Sequence, residues 1–401
     1  MHAMAKLGEV AEFIRGITFK PDDVAHLGAD NSVVCMRTKN VQALLDCDDL
    51  LAVPARLVRR KEQYLKEGDI LVSSANSWNL VGKCCWVPAL PWPAAFGGFI
   101  SVLRGDSNRV DRRYLYWWFA SARIQTLLRS FGQKTTNISN LNVERCLQLE
   151  IPLPNIAEQR RLAAILDKGD ALRTKRREAL AQLDRLTQSI FVEMFGDPIC
   201  NPMNWPMVEV GAVADVQGGL QVTTARKTRP VEVPYLRVAN VYRGCLDLGE
   251  VKTIRATESE IVRTRLLRDD MLVVEGHGNP EEVGRAALWS GEVENCVHQN
   301  HLIRVRFDQA KVAPAFACTY INSPGGRQHL LRAGKTTSGL NTISVSNVRA
   351  TPIALPTLAA QRTFGARVAD VEHLKSVQLA ASVEANALFA AIQHRAFRGE
   401  L

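Results

Sequence analysis

The sequence predicts an α+β chain in which a mixed α/β unit followed by one long helix occurs twice, as an internal pseudo-twofold repeat. Three observations carry this. The two halves match in order at a shift of about 200 residues, the first thing to look for in any chain. Short apolar runs between glycine turns fill about 150 residues of each half, the mark of strands. A stretch with heptad spacing then closes each half.

The matches run the length of the repeat. Leu7-Gly8-Glu9-Val10-Ala11 answers Val210-Gly211-Ala212-Val213-Ala214, and Arg37 with Asn40-Val41 answers Arg237 with Asn240-Val241. Asp69-Ile70-Leu71-Val72 answers Asp270-Met271-Leu272-Val273, and Val81-Gly82-Lys83 answers Val283-Gly284-Arg285. Lys134-Thr135-Thr136 answers Lys335-Thr336-Thr337, with Ile138-Ser139 and Ile343-Ser344 beyond. Ile151-Pro152-Leu153-Pro154 with Gln159-Arg160 answers Ile353-Ala354-Leu355-Pro356 with Gln361-Arg362. Strands are expected at 69–73, 99–104, 271–275 and 301–307, and one helix over Tyr114 to Phe131. Prolines 152, 154 and 356 break the backbone just before each long helix. Gly196-Asp197-Pro198 and Asn201-Pro202-Met203-Asn204-Trp205-Pro206 read as a turn-rich connector.

In the first long segment Leu162, Ile165, Gly169, Leu172, Arg176, Ala179, Leu183, Leu186 and Ile190 step by three and four. Phe364, Arg367, Val371, Leu374, Gln378, Ala381, Ala385, Leu388 and Ile392 repeat the steps, each 202 residues after its counterpart. That spacing predicts two helices paired along a narrow seam, Arg176 and Gln378 being polar interruptions that set register. The alternative is a helix packed on its own domain. A segment of about 39 residues rises roughly 58 Å. If the helices pair antiparallel, two units at opposite ends of such a rod reach separate grooves of a duplex that repeats every ~34 Å.

Composition narrows the partners. The chain is 46% hydrophobic and 23% charged with a formal charge of +9, which suits a polyanion. No apolar run approaches the ~20 residues of a membrane span, and the start lacks a signal-peptide pattern, so a cytoplasmic location without membrane attachment is expected. Nine cysteines without a C-x-x-C pair read as reduced and structural. Cys296, His298 and His301 lack the paired spacing of a zinc site, and no metal is expected.

Taken in order, a globular region, Leu153-Pro154-Asn155-Ile156-Ala157-Glu158-Gln159-Arg160 opening a long helix, Phe195-Gly196-Asp197-Pro198 with Asn201-Pro202 and Trp205-Pro206, a second globular region and a second helix resemble the specificity subunits of type I restriction-modification systems. The resemblance covers essentially the whole chain. The second copy of the helix-opening motif, Leu355 to Arg362, has Ala360 where the first has Glu158. Membership implies two target recognition domains (1–155 and 207–356) and two long helices forming an antiparallel coiled coil (156–195 and 357–398), joined through a connector at 196–206. It also implies double-stranded DNA and two methyltransferase subunits as partners, restriction subunits for cleavage, and S-adenosylmethionine on the methyltransferase with no cofactor in this chain. The setting would be prokaryotic cytoplasm. The coiled coil would set the gap between two unlike half-sites and dock the methyltransferases.

Positions kept in both halves serve a shared role, whereas sequence-reading positions should differ. Lys134, Thr135, Thr136 and Lys335, Thr336, Thr337 suit phosphate contacts or, equally, a hydrogen-bonded polar loop. Arg37, Lys39 and Arg237 are further candidates for DNA contact. The loops after the Asp69 and Asp270 strands diverge between matched flanks. Ser74, Asn76, Trp78 and Asn79 face His277 and Asn279, side chains able to pair with base edges, although a surface turn uses the same residues. Arg226 and Lys227, with Arg229, form a basic run suited to phosphates or to solvent. Arg173, Lys175, Arg176 and Arg177 suit DNA or an acidic subunit. Catalytic signatures are missing: no G-x-S-x-G, no phosphate loop, no H-E-x-x-H and no N-P-P-aromatic motif for a flipped base. Asp69 and Glu275 lack a second acid and a lysine at nuclease spacing. A non-catalytic reader is expected; a protein-binding scaffold and a self-contained nuclease or methyltransferase are the alternatives.

Overall fold

A computed structural model of the chain describes residues 3–131, 133–134, 138–337 and 340–401. Two compact units emerge, Met1–Arg176 with Ala381–Leu401, and Arg177–Ala380.

In the first unit the apolar Ile70–Ser73 strand lies inside a four-stranded antiparallel sheet, in the order Ala11–Arg15, Ile100–Gly105, Ile70–Ser73, Cys84–Trp86. Its side chains alternate between two cores, as the period of two in a strand requires. Ile70 and Val72 pack with Leu103, Tyr114, Leu115 and Leu162, whereas Leu71 joins Ile14, Met36, Phe96 and Val102. A strand covered on both faces reads as a continuous apolar run, which is why this one was legible. A three-stranded sheet, Ala52–Pro54, Ser32–Met36 and Ala94–Phe96, lies beside it, the last pair parallel.

The second unit repeats this plan with Ala214–Gly218, Leu302–Phe307, Met271–Val274 and Ala286–Leu288. Met271 and Val273 face Phe191, Phe316 and Phe364; Leu272 and Val274 face Leu236 and Trp289. Glycine is required at matched turns: Gly82 and Gly284 have φ of 81° and 77°, and a Cβ there would press on Leu128 and Leu330 at 3.1 and 3.0 Å.

The predicted helix over Tyr114 to Phe131 is two helices, Arg112–Phe119 and Ala122–Ser130. Ser121 separates them. Its hydroxyl donates to the Trp118 carbonyl at 2.7 Å and its ψ of 145° is extended, so the helical ladder stops. Ser323 does the same in the second unit, donating to Tyr320 at 2.6 Å.

The long helices are Ile156–Phe195 and Leu358–Ala396. In the first unit Leu162, Ala163 and Leu166, near the start of one helix, share a core with Phe389 and Ala396, near the end of the other. The second unit joins Phe191 and Phe195 with Phe364 in the same sense. Each helix therefore begins in its own domain and ends in the core of the other, and within each unit the pair runs antiparallel. The seam differs from the predicted one. Its shared members, 162, 169, 176, 183 and 190, are buried or half-buried, and so are 165 and 179, but 172 and 186 are exposed while 166, 173, 180, 187 and 194 are buried or half-buried. Leu172 and Leu186 are exposed, as are Leu374 and Leu388 in the second helix, where Val368, Lys375, Ser382, Phe389 and Ala396 take the inward places. Steps of three-then-four and four-then-three share every seventh residue, and leucine favours the wrong choice on hydropathy alone.

The connector owes its shape to Asn201, whose side chain accepts from the Trp205 N–H and donates to the Trp205 carbonyl, both at 3.0 Å. The Trp205 indole in turn donates to the Phe195 carbonyl at 3.1 Å, closing off the last turn of the helix.

Candidate nucleic-acid interface

Most matched positions prove to be frame. Gln159, 1% exposed, accepts from the Asp111 N–H at 2.8 Å and donates to the Pro154 carbonyl at 2.8 Å. Gln361 repeats both bonds with Ala313 and Pro356. This is the physical content of the helix-opening motif: a buried amide ties the first turn of each long helix to the domain preceding it. Asn40 clamps its loop through Arg37 N–H and the Asp46 and Asp49 carbonyls, and Asn240 uses Arg237, Asp247 and Glu250 identically. Asp69 is held by Arg104 through two bonds of 2.6 and 2.7 Å, and Asp270 by Arg306 through two of 2.7 Å. Both carboxylates are buried ion-pair partners on the scaffold.

The surface assembled on this frame joins segments distant in sequence. In the first domain Gln133–Lys134, Ser139–Asn140 and Ala75–Asn76 form one small sheet in that order. In the second, Lys335–Thr337, Leu340–Thr342 and Gly276–His277 form its counterpart. The strand that carries Lys134, or Lys335–Thr337, and the strand of the divergent loop thus flank one middle strand in each copy. Lys134 and Lys335–Thr337 lie on the outer strand; Thr135 and Thr136 fall outside the described residues.

Within the first loop, Asn76 donates to Ser73 Oγ at 3.1 Å and accepts from the Ser77 N–H, while Ser77 donates to Asn79 at 2.7 Å. Ser74 is half-buried and Trp78 exposed. In the second loop His277 Nδ1 accepts from the Asn279 N–H at 3.0 Å. In a neutral ring that puts the proton on Nε2, an outward donor. Asn279 caps the Pro280–Glu282 turn by accepting from Glu281 N–H.

The remaining candidates are more committed internally than their charge suggested. Arg37 and Lys39 both pair with Asp49, and Arg237 pairs with Glu250. In both copies the arginine Nε is buried with no hydrogen-bond partner among the described residues. Arg226 binds Glu260 through two 3.1 Å contacts and also donates to the Gln221 carbonyl. The Thr257 N–H, then the Arg226 guanidinium, holds the Glu260 carboxyl down at about 2. Lys227 is exposed. On the first long helix Arg173 meets Asp170 and Asn386 and lies 4.3 Å over the Phe389 ring.

Cys296, His298 and His301 diverge: burial pushes the Cys296 thiol up to about 12, His298 faces the Thr264 and Gln217 carbonyls, and His301 meets Glu275. Among the described residues no group of three or more His, Cys, Asp or Glu side chains is placed to hold a metal ion. No described helix is long and apolar enough to cross a membrane. Phe99 and His301, which precede the matched strands Ile100–Gly105 and Leu302–Phe307, were not among the candidates for DNA contact read from the sequence. Their divergence beside a matched flank was the available signal.

Two repeated α/β domains sharing a pair of long helices, each with a variable loop on an invariant frame, define a class of paired recognition proteins. Solved structures share that architecture. A chain from work on complex assembly and conformational transition of the type I R-M system has a TM-score of 0.59 at 17% identity, covering 100% of this chain and 98% of that one. The type I S subunit of M. genitalium has a TM-score of 0.54 at 13% identity, covering 99% and 96%. Residues 3–183 match the model for the type I restriction modification DNA specificity domain. The StySPI specificity subunit of Salmonella potsdam is 26% identical over 418 residues, covering 100% of this chain and 89% of its own. The EcoKI specificity subunit of Escherichia coli K12 is 25% identical over 415 residues, covering 99% and 89%. Over essentially its whole length the chain is similar to type I restriction-modification specificity subunits, and its first half matches their DNA specificity domain.

Proposed function

We propose that this chain reads a two-part DNA sequence for a type I restriction-modification complex, residues 1–155 reading one half-site and 207–356 the other. One observation carries the reading: each copy joins a kept strand and a divergent loop in one small sheet, on a frame whose buried clamps are the same. A kept strand suits phosphates, which are alike at every site, and a divergent loop suits bases, which are not. Ser74, Asn76, Trp78 and Asn79 read in the first domain, and His277 and Asn279 in the second. Lys134 to Thr136, Lys335 to Thr337, Arg37, Lys39, Arg237, Arg226 and Lys227 supply positive or hydroxyl groups towards the backbone.

The helices (156–195 and 357–398) set the gap, and the connector (196–206) joins the copies. Two methyltransferase subunits dock on the helices and bring S-adenosylmethionine; restriction subunits join for cleavage. Leu172, Leu374 and Leu388 support the docking, because exposed leucines along a helix face stabilise nothing in the chain itself. The complex acts in the cytoplasm of a prokaryote. A single-molecule methylome of the host with and without the gene tests the reading. Loss of one asymmetric two-part motif on deletion is the expected result; an unchanged methylome in a strain with an active system would refute it.

A further inference from the structure

Beneath each small sheet runs the turn that precedes the last strand of the main sheet. The Phe99 carbonyl accepts from the Ser74 and Ala75 N–H groups at 3.0 and 3.1 Å, and the His301 carbonyl accepts from the Glu275 N–H at 2.9 Å. Register confirms the equivalence, since Ser73 pairs with Ile100 and Val274 with Leu302. Phe99 and His301 are one position of the repeat; Ser74 and Glu275 are another. The backbone is the same in both copies and the side chains are not.

Phe99 is 64% exposed. It stands at the rim of a cavity of about 510 Å³ whose wall includes Arg15, Thr18, Phe19 and Arg37. Leaving a phenyl ring in water forgoes most of what its burial would contribute, so its place here is not explained by the stability of the domain. In the second copy His301 Nδ1 lies 3.1 Å from a Glu275 carboxylate oxygen. A carboxylate only accepts, so Nδ1 carries a proton, and in the singly protonated ring Nε2 is left as an acceptor.

We propose that this position determines specificity in both domains by different chemistry. Phe99 packs on the C5-methyl group of a thymine in the first half-site, and the Glu275–His301 pair accepts from the exocyclic amine of an adenine or cytosine in the second. The thymine methyl is the apolar feature of the major-groove edge, and the exocyclic amines are its donors. The inference rests on the reading that each domain addresses one half-site.

The test uses the complete methyltransferase complex and the duplex its methylome defines. Each thymine of the first half-site, on either strand, is replaced singly by uracil, which removes the methyl and keeps every hydrogen bond. One replacement should weaken binding roughly fourfold, the worth of about one buried methyl. The Phe99→Ala complex should bind thymine and uracil duplexes alike at that position, and Phe99→Leu should restore part of the discrimination. In methylomes His301→Ala and Glu275→Gln should relax one base of the second half-site and leave the first unchanged. Absence of any uracil effect in the wild type, or its persistence in Phe99→Ala, overturns the inference while the bipartite motif stands. A wild-type complex with no bipartite motif overturns the underlying reading as well.

Discussion

A repeat inside one chain separates residues that hold the frame from residues that use it. Gln159 and Gln361 belong to the first group. Alanine at either position leaves a buried N–H and a carbonyl without partners, costing about 1–3 kcal/mol. The urea midpoint of each variant should fall, while that of Gln182→Ala, at an exposed helix position, should stay within about 0.5 kcal/mol of wild type. Asp69→Ala strands the Arg104 guanidinium and should cost about 3–5 kcal/mol by the same assay. His298 makes the two domains unequal in acid. It takes the place of Phe96, the partner of Met36 in one copy as His298 is of Leu236 in the other. Burial lowers its pKa from 6.5 to about 4. The unfolded chain therefore takes up a proton that the folded domain resists, so stability present above pH 6.5 is lost as the pH falls towards 4. Urea melts at pH 7 and 5 should show this slope in the wild type and a smaller one in His298→Phe; an equal slope in both would place its origin elsewhere.

Among the elements, the long helices carry the main departure from the sequence reading. The inward places at 173 and 375 are polar, and each is satisfied locally, Arg173 by Asp170 and Asn386, Lys375 by Asp184 at 3.1 Å and Glu372 at 2.8 Å. Hydropathy alone placed Leu172 and Leu374 there instead. Truncation separates the two registers. Leu166→Ala opens a cavity in the core and should cost about 2–5 kcal/mol, whereas Leu172→Gln and Leu388→Gln should change the melting of the isolated chain little. The same two variants should weaken co-purification with the methyltransferase, the outcome that links the exposed leucines to docking. Retained co-purification would leave that face without the proposed partner.

At the scale of the molecule the formal charge of +9 predicts a salt-dependent encounter with DNA. Neutralising about six phosphates would lower affinity roughly a thousandfold between about 50 and 200 mM salt. Titration of the complex with its target duplex checks this, and affinity that ignores salt would point to a protein-binding scaffold. The arrangement of cores also has a consequence. Because Phe389 and Ala396 complete the core containing Leu162, deleting the second long helix should destabilise the first domain as well as the second.

How much was legible follows from what is local. Order along the chain, the strands as short apolar runs, the long helices and the family resemblance were all present in the sequence, because apolar runs, heptad spacing, proline, glycine and an internal repeat can be read along the chain. The roles of the matched residues were not. Asn40, Asp69 and Gln159 were legible as repeated positions, but their clamping roles were not until folding brought carbonyl, guanidinium and N–H partners to them, the Asp111 N–H reaching Gln159 across 48 residues. The candidate surface behaves likewise: Asn76 meets Ser139 only through strand pairing, and Phe99 meets Ser74 only through the turn below it. By itself the sequence determined which segments repeat and which diverge. Tertiary structure alone decided which divergent side chains share a face, because that depends on long-range register, a one-residue change of which turns every side chain of a strand to the other side.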